Sequence, residues 1–365
     1  MKEEIKYLNV ARGILISLVV IGHIEVPTYL SRFIYLFHIA ALFFISGYFS
    51  SVDTTSIKNC CLNCLKRVSK LYIYYLKYEL LFLIFKNFFL SIGFYSQHVE
   101  YGGKYIQPDT ISDFIANIVL IFCGMGREVM ASAFWYFISL IFAIIIFTVI
   151  RYISDHQKRV NSFYFELISV FVVFIMGCAC NFWDIYLPRL APALTLILPF
   201  YWGYLQATKK IEVRFDNPII LFLSFIALVL LSNYGSISMN ANMFPNPIFF
   251  ILATFCGIYM VIGLSKLIDN YLNRVSQIIR YIGKRSVAIM IFHIFSFKLI
   301  FLLQYVAGEI PYSAISQNLG NPNGSFIWFV LFFLSGIYFS ILLFNGIEKM
   351  LSLLWDVKKK LFKTT

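Results

Sequence analysis

An arginine and a histidine on one apolar run are the first residues that could do chemistry. The run is NVARGILISLVVIGHIE, from Asn9 to Glu25, with Arg12 near one end and His23 near the other. Over that spacing an α-helix turns through about 1,100° and advances about 16 Å, which brings both side chains to one face. In lipid such groups are costly and usually look inward at a partner or an aqueous path. A second histidine, His38, follows on the next apolar run. His23 lies six residues before the turn near Tyr29 and His38 nine after it, so both imidazoles are expected at similar depth, bordering one cavity. A neutral imidazole can take a proton from a hydroxyl near pH 7, the work of a general base. Glu25 is a candidate to orient the His23 ring, but only if the helix unwinds before Pro27, because on a continuing helix it points to a different side.

At the other end of the run, the basic stretch CLKRVSKLYIYYL sets Arg67 and Lys70 beside Arg12, where anionic groups can gather. Phosphates suit such a place, above all through bidentate pairing with arginine. The same charges also serve as a membrane-topology signal. A cationic mouth, and an imidazole about 16 Å further along the helix, describe a path for a long thin donor. A coenzyme A thioester, with phosphates at one end and a reactive acyl group on an extended arm, has that shape.

These residues must be positioned by a membrane protein. Of the 365 residues 60% are hydrophobic and only 13% charged, whereas soluble domains have about 45–50% apolar and about 25% charged residues. Ten runs are long enough to cross a hydrocarbon core of about 30 Å. They cover roughly residues 8–25, 33–50, 70–92, 133–151, 163–181, 190–207, 218–234, 248–268, 286–307 and 325–347. The fold class expected is therefore all-α and polytopic, with about ten transmembrane helices in one domain over 1–350 and a basic tail over 351–365. The net charge of +12 does not point to nucleic acid, because the basic residues lie in short clusters between apolar runs. On the side of the N-terminus fall 23 of the 30 Lys and Arg; the opposite side has Arg32, Lys104, Arg127 and Arg189, and Lys77, Lys86 and Lys298 lie within spans. By the positive-inside rule both termini are expected in the cytoplasm.

Two segments on the far side stand out. Between Gly93 and Ser132, an apolar piece from Ile111 to Cys123 is too short to span comfortably and better suits a helix at the interface or dipping partway in. The uncharged segment NYGSISMNANMFPNP, from Asn233 to Pro247, offers amide and hydroxyl groups that could bind a carbohydrate. The seven cysteines form no framework: Cys60, Cys61 and Cys64 in NCCLNC lack a matching second half, so no metal is expected. There is no phosphate-binding glycine loop, no HExxH and no GxSxG, which disfavours nucleotide-driven transporters and serine hydrolases.

The order of these features resembles the acyltransferase 3 family of integral membrane O-acyltransferases, including its fucose 4-O-acetylase-like and surface-polysaccharide members. Arg12 and His23 have the spacing of the family's first span. FHIAALFFISGYF, from Phe37 to Phe49, is similar to its second, with His38, Phe43, Phe44, Ser46, Gly47 and Tyr48 corresponding. KRVSKLYIYYL resembles its basic segment before span three, FWYFISLIF with Trp135 a later opening, and YIGKRSVAIMIFH, with Gly283, Ser286 and His293, the start of span nine. The chain departs from the family where proline is common, having Ile39 and Ala40 after the second-span histidine and Tyr74 in span three.

The resemblance implies a bacterial inner-membrane enzyme that moves an acyl group, expected to be acetyl, from cytoplasmic acetyl-CoA to a hydroxyl of a surface-destined or lipid-linked carbohydrate. His23 is then the base or a transient acyl carrier, and Arg12, Arg67 and Lys70 receive the donor's phosphates. His38, Ser46 and Trp135 shape the reaction chamber, and His293 is expected to be structural rather than catalytic. A flippase or exporter of a lipid-linked sugar is the alternative from another class.

Overall fold

The computed structural model describes residues 5–99, 105–317 and 319–361, with side chains through residue 353. Of the basic tail expected over 351–365, residues 351–361 continue the last helix and 362–365 lie outside the described part, as do the topology residues Lys2 and Lys104. Among the described residues the chain is helical, with two isolated bridges and no strand. The helices are α1 (Lys6–Gly22), α2 (Thr28–Tyr35), α3 (His38–Tyr48), α4 (Ile57–Ser91), α5 (Ile111–Phe122), α6 (Trp135–His156) and α7 (Ser162–Phe182). They continue with α8 (Leu190–Ala207), α9 (Pro218–Tyr234), α10 (Pro247–Tyr271), α11 (Asn273–Lys284), α12 (Ser286–Val306), α13 (Phe326–Leu334) and α14 (Ser340–Leu361).

Local chemistry sets many of the starts. Asn217 and Asn246 each cap a helix by accepting from backbone N–H groups, and each is followed by a proline, which needs no hydrogen-bond partner at that position. Ser56 and Asn161 cap α4 and α7, and Thr110 with Asp113 forms a reciprocal capping box on α5.

Each of the ten apolar runs falls on a helix or helix pair. Six stretches among the described residues are long and apolar enough to cross a bilayer, namely Thr28–Tyr48, Val129–His156, Ser162–Phe182, Pro247–Tyr271, Ser286–Val306 and Phe326–Leu353. The helices at the remaining four predicted spans depart for different reasons: α1 and α9 have only 17 residues each, α8 is less apolar because it carries two prolines, Thr195, three Tyr or Trp residues and Gln206, and α4 runs on for 35 through the basic stretch. Two further departures concern shape. The second predicted span is broken at Phe37, where the backbone turns to φ −142°, and the last carries a π-helical turn over Ser335–Phe339 between α13 and α14.

The short helix α5 packs lengthwise along α4. Its start is held where Lys86 pairs with Asp109 at 2.5 Å, whereas its end is held by Tyr72, whose hydroxyl donates to the Phe122 carbonyl at 2.6 Å. Fourteen positions of α4 separate those two anchors, about 21 Å along its axis. The chain then turns back through Gly126, whose N–H donates to the buried Tyr75 hydroxyl at 2.9 Å, and through Met130, whose N–H donates to Tyr95 at 3.3 Å. Irregular backbone within a bilayer is tolerated only where protein groups satisfy it or it lines a cavity.

Close backbone approach fixes the scaffold behind the site. α3 packs along α8 through Gly47 and Gly203: a Cβ on Gly47 would come to 1.8 Å from the Phe200 carbonyl oxygen, and one on Gly203 to 1.9 Å from that of Phe44. α11 meets α1 in the same way, with Gly283 against the Asn9 carbonyl and Gly13 against that of Ile279. Such contacts leave no room for a methyl group. Gly47→Ala is expected to cost about 1–3 kcal/mol of thermal stability in detergent-purified protein. Gly346→Ala in α14, where the added methyl meets nothing within 4 Å, should stay within about 0.5 kcal/mol of the parent.

Candidate functional site

α1 ends at Gly22, so His23 already stands at the helix terminus. The backbone freed there is taken up by Gly320, whose N–H donates to the His23 carbonyl at 2.9 Å and whose carbonyl accepts from the Glu25 N–H at 2.6 Å. The loop bearing Gly320 is itself held from α12. The buried Lys298 ammonium donates to the carbonyls of Ile315 (2.8 Å) and Gln317 (2.6 Å), and Gln304 donates to that of Asn321 (2.8 Å). Lys298, a charge inside a predicted span, thus serves the loop that fixes the end of α1.

The helix does unwind before Pro27, but Glu25 does not orient the ring. Its side chain is exposed, and the buried Nδ1 of His23 has no hydrogen-bond partner among the described residues. The local reason is the bridge to Gly320, which turns the Glu25 side chain to the surface.

His23 and His38 line one cavity of about 300 Å³, together with Tyr35, Ser132, Trp135, Tyr136 and the turn Ser238–Asn240. His38 is held by its own helix entrance: its Nδ1 lies 2.8 Å from the Ile34 carbonyl. A carbonyl can only accept, so the proton sits on Nδ1 and the other ring nitrogen carries the lone pair. Tyr35 stands edge-on to the His38 ring at 5.0 Å between centroids and donates from its hydroxyl to the Gly22 carbonyl at 3.0 Å, tying α2 to the end of α1. The turn on the opposite wall is rigid too. Asn242, at φ +55°, donates to the Gly177 carbonyl at 2.9 Å and accepts from Thr195 at 2.8 Å, while Asn240 accepts from Arg189 at 3.0 Å.

Arg12 opens on a second cavity of about 210 Å³, toward the end of the molecule that carries the basic loops, with Ser46, Leu71, Phe137 and Ser286 among its walls. The Arg12 guanidinium sits 5.3 Å from the centre of the Phe49 ring, and no carboxylate among the described residues is within ion-pair distance. Tyr136 and Met290 line both cavities and stand between them. The Tyr136 hydroxyl faces the Ser46 side chain, within electrostatic reach of Arg12 and Arg67.

The other two cations expected here behave differently. Arg67 is largely committed to the scaffold, with Nη1 donating to Ser50 Oγ at 2.6 Å, Nη2 to the Ser46 carbonyl at 2.5 Å, and its plane over Phe200. Lys70 is exposed and lines neither cavity. Trp135 is in the first cavity and Ser46 in the second, as just described. His293 lines neither; it is fully buried on α12 behind His23, with ring centroids 4.9 Å apart.

The arrangement is two largely apolar pockets meeting end to end along α1, one presenting two imidazoles and the other a guanidinium, which suits transfer of a group from an anionic carrier to a hydroxyl. A family model described as an acyltransferase domain matches residues 5–345. The chain belongs to the acyltransferase 3 family. Comparison with curated proteins and with solved structures finds no match. This acyltransferase is a multi-pass membrane protein, all-helical over the described residues.

Some lining residues escape a reading of the sequence. Tyr136 has a signal only in its adjacency to Trp135, and Met290 and Tyr35 have none beyond lying one turn from His293 and His38. The pairing of Gly320 with His23 bridges nearly the whole chain and leaves no local trace. Because Arg67 forks onto two acceptors, Arg67→Lys is expected to lower the unfolding stability by about 1.5 kcal/mol, the smaller end for bonds from a charged donor. Unchanged stability would show that the fork is no brace.

Proposed function

We propose that this membrane acyltransferase carries an acetyl group from acyl-CoA in the cytoplasm to a hydroxyl of a surface-destined or lipid-linked carbohydrate, in the bacterial inner membrane with both termini cytoplasmic. The observation that carries this reading is the pair of cavities on one side of α1, which abut at Tyr136 and Met290, with Arg12 in one and His23 in the other. Arg12 has no carboxylate partner among the described residues, so its charge is free to meet a phosphate. Arg67 holds Ser46 and Ser50 in place and adds positive potential to the same mouth. Lys70, exposed on α4, would attract the donor before it enters.

In the other cavity the acceptor sits between Trp135 and the Ser238–Asn240 turn, which supply the flat apolar face and the polar edge that a sugar ring requires. His38 accepts a hydrogen bond from the acceptor through its unprotonated ring nitrogen. His23 takes the proton of the reacting hydroxyl, whose oxygen bonds to the acyl carbon. The carbon–sulfur bond then breaks, and the thiolate takes up the proton from His23. Tyr136 and Met290 must part far enough to admit the thioester arm. No metal is required by this scheme.

His23→Ala is expected to lower the rate of acetyl transfer by about 10²–10⁴-fold with an unchanged thermal midpoint, measured with radiolabelled acetyl-CoA on protein in vesicles. Full turnover in that variant would discard the assignment. Arg12→Ala should raise the KM for acetyl-CoA by roughly 10–100-fold, as expected for one lost charge-assisted contact. If the wild-type protein neither binds nor uses acetyl-CoA but moves a lipid-linked sugar across the vesicle, the exporter reading replaces this one. Acetyl content of surface glycans with and without the gene identifies the acceptor.

A further inference from the structure

We propose that His293 is a positioning residue for His23: it accepts the His23 Nδ1–H and so fixes the tautomer that leaves the other nitrogen of His23 unprotonated toward the cavity. The proposal rests on the reading of His23 as the base. It adds a second imidazole in the place where many such bases have a carboxylate.

Four observations lead there. The rings are adjacent, 4.9 Å between centroids and inclined at 58°. His293 is wholly buried and its Nδ1 lies 2.9 Å from the Ile289 carbonyl one turn back, so that nitrogen bears the proton and Nε2 bears the lone pair. That Nε2 is buried with no hydrogen-bond partner among the described residues. So is Nδ1 of His23. Two neighbouring rings thus each hide an unsatisfied nitrogen, one with a lone pair and the other able to carry a proton, and an unmade bond is costly when it is buried. A bond between them would satisfy both.

The resulting chain runs from the reacting hydroxyl to His23 Nε2, from His23 Nδ1–H to His293 Nε2, and from His293 Nδ1–H to the Ile289 carbonyl. When His23 takes up the proton, its positive charge is shared along this chain. No carboxylate among the described residues forms an ion pair with either ring, and Glu25 is exposed. The backbones that carry the rings are held close. Gly336 of the π-helical turn abuts Val20 and Phe297 so tightly that a Cβ there would lie 2.5 Å and 3.0 Å from them, and Ser335 Oγ donates to the Ser296 carbonyl at 2.9 Å.

His293→Phe keeps a ring of similar shape without nitrogen, and His293→Gln offers an amide oxygen that can accept from His23. The expected result is a kcat lowered by about 10²–10⁴-fold in His293→Phe, KM for both substrates within a factor of about two, and partial recovery in His293→Gln. Wild-type kcat in a folded His293→Phe, or a loss confined to KM, would overturn the proposal. A readout independent of turnover is the ¹⁵N spectrum of histidine-labelled protein, with His23→Ala identifying the His23 signals. In the parent His23 should be protonated on Nδ1, and in His293→Phe it should shift toward the Nε2-protonated form. The same tautomer in both proteins, or an Nε2 proton in the parent, overturns the pairing. Turnover that survives His23→Ala would instead overturn the assignment of His23 as the base, leaving the ¹⁵N result to decide the pairing by itself.

Discussion

A polypeptide inside a bilayer must satisfy every backbone amide within protein, and the way this chain ends its first helix follows from that demand. α1 stops at Gly22 beneath the loops of the far side, and the stop is possible because Gly320 donates to the His23 carbonyl and accepts from the Glu25 N–H. Lys298 and Gln304 hold the loop that brings Gly320 there. Removing that pairing would either extend α1 or leave its end unsatisfied, and in both cases His23 would leave the wall of its cavity. A lysine within a predicted span, a glycine far along the chain and the His23 imidazole are therefore parts of one device.

Helix breaks recur wherever the chain nears this point. α2 and α3 part at Phe37 beside His38, the segment after α5 returns irregularly through Gly126 to Trp135, and the π-helical turn lies against Val20 and Phe297. Around them the scaffold is unusually close, with Gly47 and Gly203 bringing two helix backbones together and Gly13 and Gly283 another two. Rigid helix pairs behind a set of interrupted helices give side chains directions that an uninterrupted helix does not offer.

Much of this was legible in the residues. Hydrophobic runs of spanning length do not hide, and each of the ten falls on a helix or helix pair, although polar content along α4 and α8 and the shortness of α1 and α9 set those apart from the six longest apolar stretches. The shared face of Arg12 and His23 follows from helical geometry, and the common depth of His23 and His38 from counting outward from one turn; the structure brings those two histidines to one cavity. Glu25 could not be settled locally, because its direction depends on the bridge to Gly320. Nor could Arg67, whose basic neighbourhood reads alike whether it braces Ser46 and Ser50 or awaits an anion. Contacts between distant segments decide such questions, and a local pattern does not contain them.

The partition made by Tyr136 and Met290 has a bearing on the cell that houses the protein. A membrane that stores energy as an ion gradient tolerates no continuous thread of water, since protons would run down it. Here the two cavities that follow one another along α1 are kept apart by one phenol and one thioether. On the proposed function, a slender arm sliding between Tyr136 and Met290 would fill the gap it opens, so that cargo could cross without opening such a thread.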